Sequence, residues 1–203
     1  EIEPNPQGVA YYQSVFKALK KHHIEPIVTL SHYEMPLYLS KKYHGWLDRR
    51  LIDFFVTYAQ AAFESFGEYV KYWLTFNEID SVGRHPFITA GLIPDQIPDD
   101  NLESAVYQSL HHQYVAAAKA TTLLHQMSPS SRMGSMLTKL TTYPNTANPD
   151  DVLLALQRNL DNYAPADVQV FGTYPPLYER YLKNKGSEIK KGKDDDAGLK
   201  KGT

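Results

Sequence analysis

The sequence of 203 residues contains no cysteine. Disulfides, thiol nucleophiles and cysteine metal centres are therefore excluded, although this says little about compartment. No apolar run approaches the roughly 20 residues that a membrane-spanning helix needs. No signal-peptide pattern opens the chain, so a cytoplasmic protein without a membrane partner is expected. A basic excess is missing too: 21 Lys and Arg stand against 23 Asp and Glu, a net charge of −2. Little is left to hold a phosphate backbone, so nucleic acid is not an expected partner. What is present is ordinary for a globular chain. It is 42% hydrophobic and 22% charged, enough to build a core in one domain or two small ones. Aromatic residues make up 12%, 15 of them tyrosine. A flat apolar face with a polar edge suits stacking on sugars, but ordinary core and surface tyrosine explains the count equally simply.

Hydrophobic periodicity organises the chain. Val9, Tyr12, Phe16 and Leu19 recur at helical spacing and predict a helix over 8–22, with Lys20 and Lys21 at its negative end. Ile27-Val28-Thr29-Leu30 reads as a short buried parallel strand. Residues 32–46 look irregular. A second helix is expected from Asp48, as N-cap, to Phe66 before Gly67. A strand follows over 70–76, then a Gly- and Pro-rich loop from Ile79 to Pro98. Asp99 and Asp100 should cap a long helix ending near Gln126. A weaker strand from Arg132 to Leu137 and a helix from Asp150 to about Asn159 complete the pattern. Strand and helix alternating in this way imply βαβ units and a parallel sheet, an α/β fold. Residues 184–203 are charged and poor in apolar side chains. They are expected to be a solvated or mobile tail, with a surface helix as the alternative.

Parallel α/β sheets carry their active sites at the C-terminal strand ends. The first strand ends at Ser31-His32-Tyr33-Glu34, the second at Thr75-Phe76-Asn77-Glu78-Ile79-Asp80 and the third near Thr138-Lys139. Two neighbouring ends therefore carry His, Asn and carboxylates. Glycoside hydrolysis needs such groups: one carboxylic acid protonates the leaving oxygen while a second carboxylate acts at the anomeric carbon. Glu78 follows Tyr72-Trp73-Leu74-Thr75-Phe76, an apolar wall expected to raise its pKa by burial, with a neighbouring nucleophile carboxylate adding to the rise. Asn77 and His32 suit sugar hydroxyls. Each has a plainer explanation: a loop charge or helix cap for Glu78, a turn residue for Asn77, a hydrogen-bonded supporting histidine for His32, and a loop-fixing carboxylate for Glu34. The dyads His22-His23 and His111-His112 are poor metal sites, because adjacent helical residues point about 100° apart and nothing at i+4 completes either.

These residues resemble a known family. Leu30-Ser31-His32-Tyr33-Glu34-Met35-Pro36 and Leu74-Thr75-Phe76-Asn77-Glu78 look like the third- and fourth-strand motifs of glycoside hydrolase family 1. Ile2-Glu3-Pro4-Asn5-Pro6-Gln7-Gly8 leading into a helix fits the same family, as does Ala166-Asp167-Val168-Gln169-Val170 before Tyr174-Pro175. The resemblance runs along nearly the whole chain. It implies a partial (β/α)8 TIM barrel, about strands three to five with their helices, making residues 1–203 a single incomplete barrel segment. It implies Glu78 as the catalytic acid/base of a retaining β-glycosidase, with Asn77 on the sugar 2-hydroxyl and His32 on another hydroxyl of the same ring. No cofactor or metal is implied. The Ser-His-Tyr-Glu-Met-Pro variant, and Ile79-Asp80 leading to Pro86-Phe87 and Gly91, look most like bacterial 6-phospho-β-glucosidases. The implied partner is then a β-glucoside or 6-phospho-β-glucoside substrate, with homo-oligomer formation by a full-length chain left open.

One departure matters. The family's nucleophile is a glutamate in a Thr-Glu-Asn-Gly type motif on the seventh strand, and no glutamate here has that context. A full barrel needs about 250 residues. The chain is therefore expected to be the middle of a barrel, unstable and inactive by itself. The rival readings are a non-catalytic carbohydrate-binding or structural remnant, and an unrelated barrel using Glu78 as a general base.

Overall fold

The computed structural model describes residues 3–97 and 102–202, apart from the side chain of Asp161. Asp99 and Asp100, expected as helix caps, lie outside the described residues. Helix α1 (Pro6–Lys21) precedes strand β1 (Ile27–Ser31), and a short helix α2 (Leu37–Tyr43) leads into α3 (Leu51–Phe66). Strand β2 (Tyr72–Phe76) is followed by α4 (Pro86–Ala90) and the long α5 (Leu102–Met127). Then come β3 (Arg132–Gly134), α6 (Pro149–Phe171), α7 (Pro176–Asn184) and α8 (Asp195–Lys201). The strands form one parallel sheet in the order β1-β2-β3. Ile27 aligns with Tyr72, Ser31 with Phe76, and Leu74 with Gly134. Consecutive right-handed crossovers put α3 and α5 on the same face of the sheet, and the two helices pack against each other there. This is the α/β architecture expected from the alternation.

The core lies between sheet and helices. Trp73 and Leu30 are buried under α3, with the Phe63 and Trp73 rings 5.0 Å apart in an edge-on contact. The edge-on arrangement places the positive ring edge against the negative face. The other face of the sheet is open at its N-terminal end, where the paired Ile27 and Tyr72 are 67% and 38% exposed, and closes toward the buried Phe76. In a closed barrel that face would fill with side chains from the remaining strands.

Several boundaries differ from the sequence expectation. Residues 32–46 contain α2 and the tight turn Gly45–Leu47, and the expected loop after β2 contains the turn Ile79–Gly83 and α4. Asp48 does not begin α3. It caps the turn before it, accepting from the Arg50 N–H at 2.9 Å. The expected short helix after Asp150 runs instead to Phe171, capped by Asn148, whose side chain accepts from the Asp150 N–H. It continues past Pro165 because Ala164 and Val168 on its second half are buried, at 1% and 0% exposure.

The charged C-terminal stretch, residues 184–203, was expected as a solvated or mobile tail or, alternatively, a surface helix. A helix forms, with α8 packed on α5 and Leu199 2% exposed. Asp195 is 3% exposed and forms a bidentate ion pair with Arg49, accepts from the Gly192 N–H at 2.7 Å, and bonds His111 Nε2 at 2.8 Å. A carboxylate so enclosed is tolerable only because every side of it has a donor.

Candidate functional site

The C-terminal strand ends converge as the parallel register requires. The Asn77 N–H donates to the Ser31 carbonyl at 3.0 Å. This continues the β1–β2 ladder by one residue and sets His32 beside Asn77. The Met136 N–H reaches the Phe76 carbonyl at 3.3 Å, and the Thr138 N–H reaches Asp80 Oδ1 at 2.8 Å. The chain after β3 is thereby drawn to the same place. His32, Asn77 and Glu78 lie together, with Thr138 completing the third side.

Glu78 sits at φ 45, a left-handed conformation uncommon for a residue with a side chain. Its carbonyl is held by the Ser81 N–H at 2.8 Å and the Ser81 hydroxyl at 2.7 Å. Its carboxylate accepts from the Tyr33 hydroxyl at 2.5 Å and from the Ser81 hydroxyl at 3.3 Å, both on Oε2. The carboxyl is held below the usual carboxylate range. The Tyr33 hydrogen bond is the largest cause; burial opposes it, and Thr138, Ser81 and the charge of Arg84 add to it. That reverses the expected upward shift, for a physical reason. Phe76, the nearest part of the apolar wall, is spent on packing between Phe55 and Trp46, at ring distances of 4.6 and 5.4 Å. Glu78 itself stays partly exposed, and no nucleophile carboxylate faces it among the described residues.

Asp80, two residues on, plays a different part. Burial raises its pKa, opposed by the Thr138 N–H and by Arg84, whose Nη2 is 3.6 Å away. It ties the end of β2 to the segment after β3 and is itself buried. Glu34 holds the loop: it accepts from the His32 N–H at 2.6 Å. The His32 ring is exposed and lies 5.1 Å from the Tyr33 ring.

Sequence reasoning singled out His32, Asn77 and Glu78 and passed over Tyr33, Ser81 and Arg84. Ser81 and Arg84 lie in a turn that read as loop. Tyr33 lies 45 positions from Glu78, too far for any periodicity to couple them. His111 and His112 serve packing: His111 bonds the Tyr174 hydroxyl and Asp195, and His112 Nδ1 bonds the Trp46 carbonyl at 2.8 Å. Among the described residues no group of three or more His, Asp or Glu is arranged to hold a metal ion. None of the described helices is long and apolar enough to cross a membrane. A concavity of about 500 Å³ lined by Pro26, Lys71 and Ser131 lies at the N-terminal strand ends, the stabilising side of a barrel.

A sequence model of Glycosyl hydrolase family 1 matches residues 1–203. The chain belongs to this family. It is 44% identical over 200 residues to the 6-phospho-beta-glucosidase AscB of Escherichia coli K12, covering 98% of this chain and 42% of that one. It is 43% identical over 203 residues to the aryl-phospho-beta-D-glucosidase BglH of Bacillus subtilis, covering all of this chain and 43% of that one. The chain thus spans less than half the length of these relatives. A rice Os3BGlu6 beta-glucosidase mutant in a covalent complex with Glc superposes with a TM-score of 0.83 at 25% identity, over 98% of this chain and 44% of that one. The AHE enzyme of Alicyclobacillus herbarius superposes at 0.84 with 21% identity. This family 1 chain is accordingly a partial (β/α)8 barrel, with three of the strands among the described residues.

Proposed function

We propose that the protein bearing this chain is a retaining β-glycosidase acting on 6-phospho-β-glucosides, with Glu78 as its acid/base. The observation that carries this reading is the cluster itself. Glu78 ends the middle strand, hydrogen-bonded by Tyr33 from the neighbouring strand end, with Asn77 and His32 beside it. In the first step the Glu78 proton passes to the glycosidic oxygen as the C–O bond breaks, and a nucleophile carboxylate bonds the anomeric carbon. In the second, Glu78 takes a proton from water, whose oxygen displaces the carboxylate. Asn77 and His32 offer donors to ring hydroxyls. The nucleophile is supplied by a residue outside this sequence, about 5–5.5 Å from Glu78. Its negative charge would lift the Glu78 carboxyl from the lowered value of this chain toward one suited to donating a proton. The 6-phosphate rests on the relatives: AscB and BglH bear phospho-β-glucosidase names, as does the phospho-cellobiase of Klebsiella oxytoca at 42% identity. A cytoplasmic site fits a substrate phosphorylated during uptake.

The test is Glu78→Gln in the full-length gene product. Glycosylation by substrates with poor leaving groups should fall roughly 10²–10⁴-fold, while p-nitrophenyl 6-phospho-β-glucoside is hurt less at that step. Equal losses in kcat/KM for both kinds of leaving group would refute the acid role. Faster turnover of p-nitrophenyl β-glucoside than of its 6-phosphate would refute the substrate.

A further inference from the structure

Two left-handed residues face each other across the β1–β2 strand ends. Tyr33 has φ 77 and Glu78 φ 45. For a bulky aromatic residue such a backbone is a genuine outlier, held only where surrounding contacts determine it. At Tyr33 the neighbouring Glu34–His32 hydrogen bond of 2.6 Å fixes the turn. At Glu78 the doubly bonded carbonyl does so. What the two turns accomplish together is the 2.5 Å contact from the Tyr33 hydroxyl to Glu78 Oε2, joined on the same oxygen by Ser81.

We propose that Tyr33 is the positioning residue for Glu78: its hydroxyl anchors Oε2, so that Oε1 is the oxygen presented to the glycosidic bond and then to water. This rests on the acid/base reading of Glu78. The anchor has a chemical consequence. A phenol donating to a carboxylate favours the ionised form, which is the form the second step needs and the first does not. The groups facing Glu78 are Tyr33 from the loop after β1, Ser81 and Arg84 from the turn after β2, and Thr138 from the segment after β3. Of these, Arg84 is charged and Tyr33 is titratable. Tyr33 is itself raised, first by burial and then by its bond to Glu78 and the charge there.

The experiment is Tyr33→Phe in the full-length gene product, which removes one hydroxyl and keeps the ring. The alkaline limb of kcat/KM should move to higher pH. With p-nitrophenyl 6-phospho-β-glucoside, kcat should fall roughly ten-fold and KM change little. A variant that is less stable but keeps the wild-type alkaline limb would overturn the proposal. A second measurement needs no turnover. In protein labelled with ¹³Cζ-tyrosine, the Tyr33 resonance is the one lost in Tyr33→Phe. Its titration midpoint should drop in Glu78→Gln, because the neighbouring negative charge is gone. An unchanged midpoint sinks the Tyr33–Glu78 contact whatever Glu78 does. A shifted midpoint beside equal losses for all leaving groups keeps the contact and removes only the acid role.

Discussion

Single residues decide how the strand-end loops meet. Gly45 is the sharpest case. It has φ 57, and a Cβ there would lie 2.1 Å from the Ala90 carbonyl oxygen and 2.6 Å from the Gly91 carbonyl carbon. These are backbone atoms and cannot swing aside. The contact seats the turn after α2 against the end of α4, and Gly91 in turn lies against Met35 and Ser40, so the segments that follow β1 and β2 share it. Gly45→Ala in the full-length gene product is expected to cost roughly 2–4 kcal/mol, the strain of a left-handed side chain plus backbone displacement. Denaturant unfolding measures it, and a loss below about 0.5 kcal/mol would contradict the close approach. Glu78 was legible in the sequence because the apolar strand ends just before it and its family motif is short and local. The direction of its pKa was not, because that depends on Tyr33, a partner only folding supplies.

At the level of elements, α8 is held by chemistry more than by apolar area. Burial alone would raise the Asp195 carboxyl, but Arg49, His111 and the Gly192 N–H hold it well below the ordinary range. His111 is lowered, chiefly by burial. Both groups have folded pKa values below their unfolded ones. Their stabilisation is therefore present above the unfolded values, near 6.5 for His and 3.9 for Asp, and is lost as pH falls through the folded ones. Amide exchange at Leu199, corrected for intrinsic rate, should accelerate as pH drops from 7 to 5, when His111 begins to charge. Constant protection over that range would show that His111 does not govern the docking. Asp195→Ala should destabilise by about 3 kcal/mol, since it leaves His111 buried without its partner, and calorimetry would register it. The tail looked solvated because its charges outnumber its apolar residues. Its main partner, Arg49, lies 146 positions earlier, beyond the reach of any local pattern. Gly172 confirms the docking independently: at φ 65, a Cβ would come 2.6 Å from Lys200 Cα.

At the scale of the whole molecule, the sheet ends in two open edges, β1 and β3, among the described residues. Large apolar groups stand in water: Ile27 on the β1 edge at 67%, and Val170 and Phe171 at the end of α6 at 62% and 65% exposure. Three short strands with unpaired edges and one partly open face are a template for association. The 203-residue polypeptide by itself is expected to elute as aggregate on size exclusion and to show no cooperative thermal transition. It should also lack glycosidase turnover, since an acid without a nucleophile cannot complete a double displacement. A monomeric, two-state unfolding curve, or hydrolysis of p-nitrophenyl 6-phospho-β-glucoside by this polypeptide, would overturn that expectation.

The sequence by itself determined the α/β alternation, the parallel sheet and the strand-end placement of His32, Asn77 and Glu78. Each of these follows from periodicity and chain order within a few residues. Tertiary structure decided the rest: the Tyr33 hydroxyl on Glu78, the docking of α8 through Asp195, the length of α6 and the spending of Phe76 on Phe55 and Trp46. Those depend on which distant groups become neighbours. The carboxylate's charge and rotamer answer to that neighbourhood, and no local pattern encodes it. Glu78 was visible as a carboxylate at a strand end, but what anchors it appears only when the ends of β1 and β2 are brought side by side.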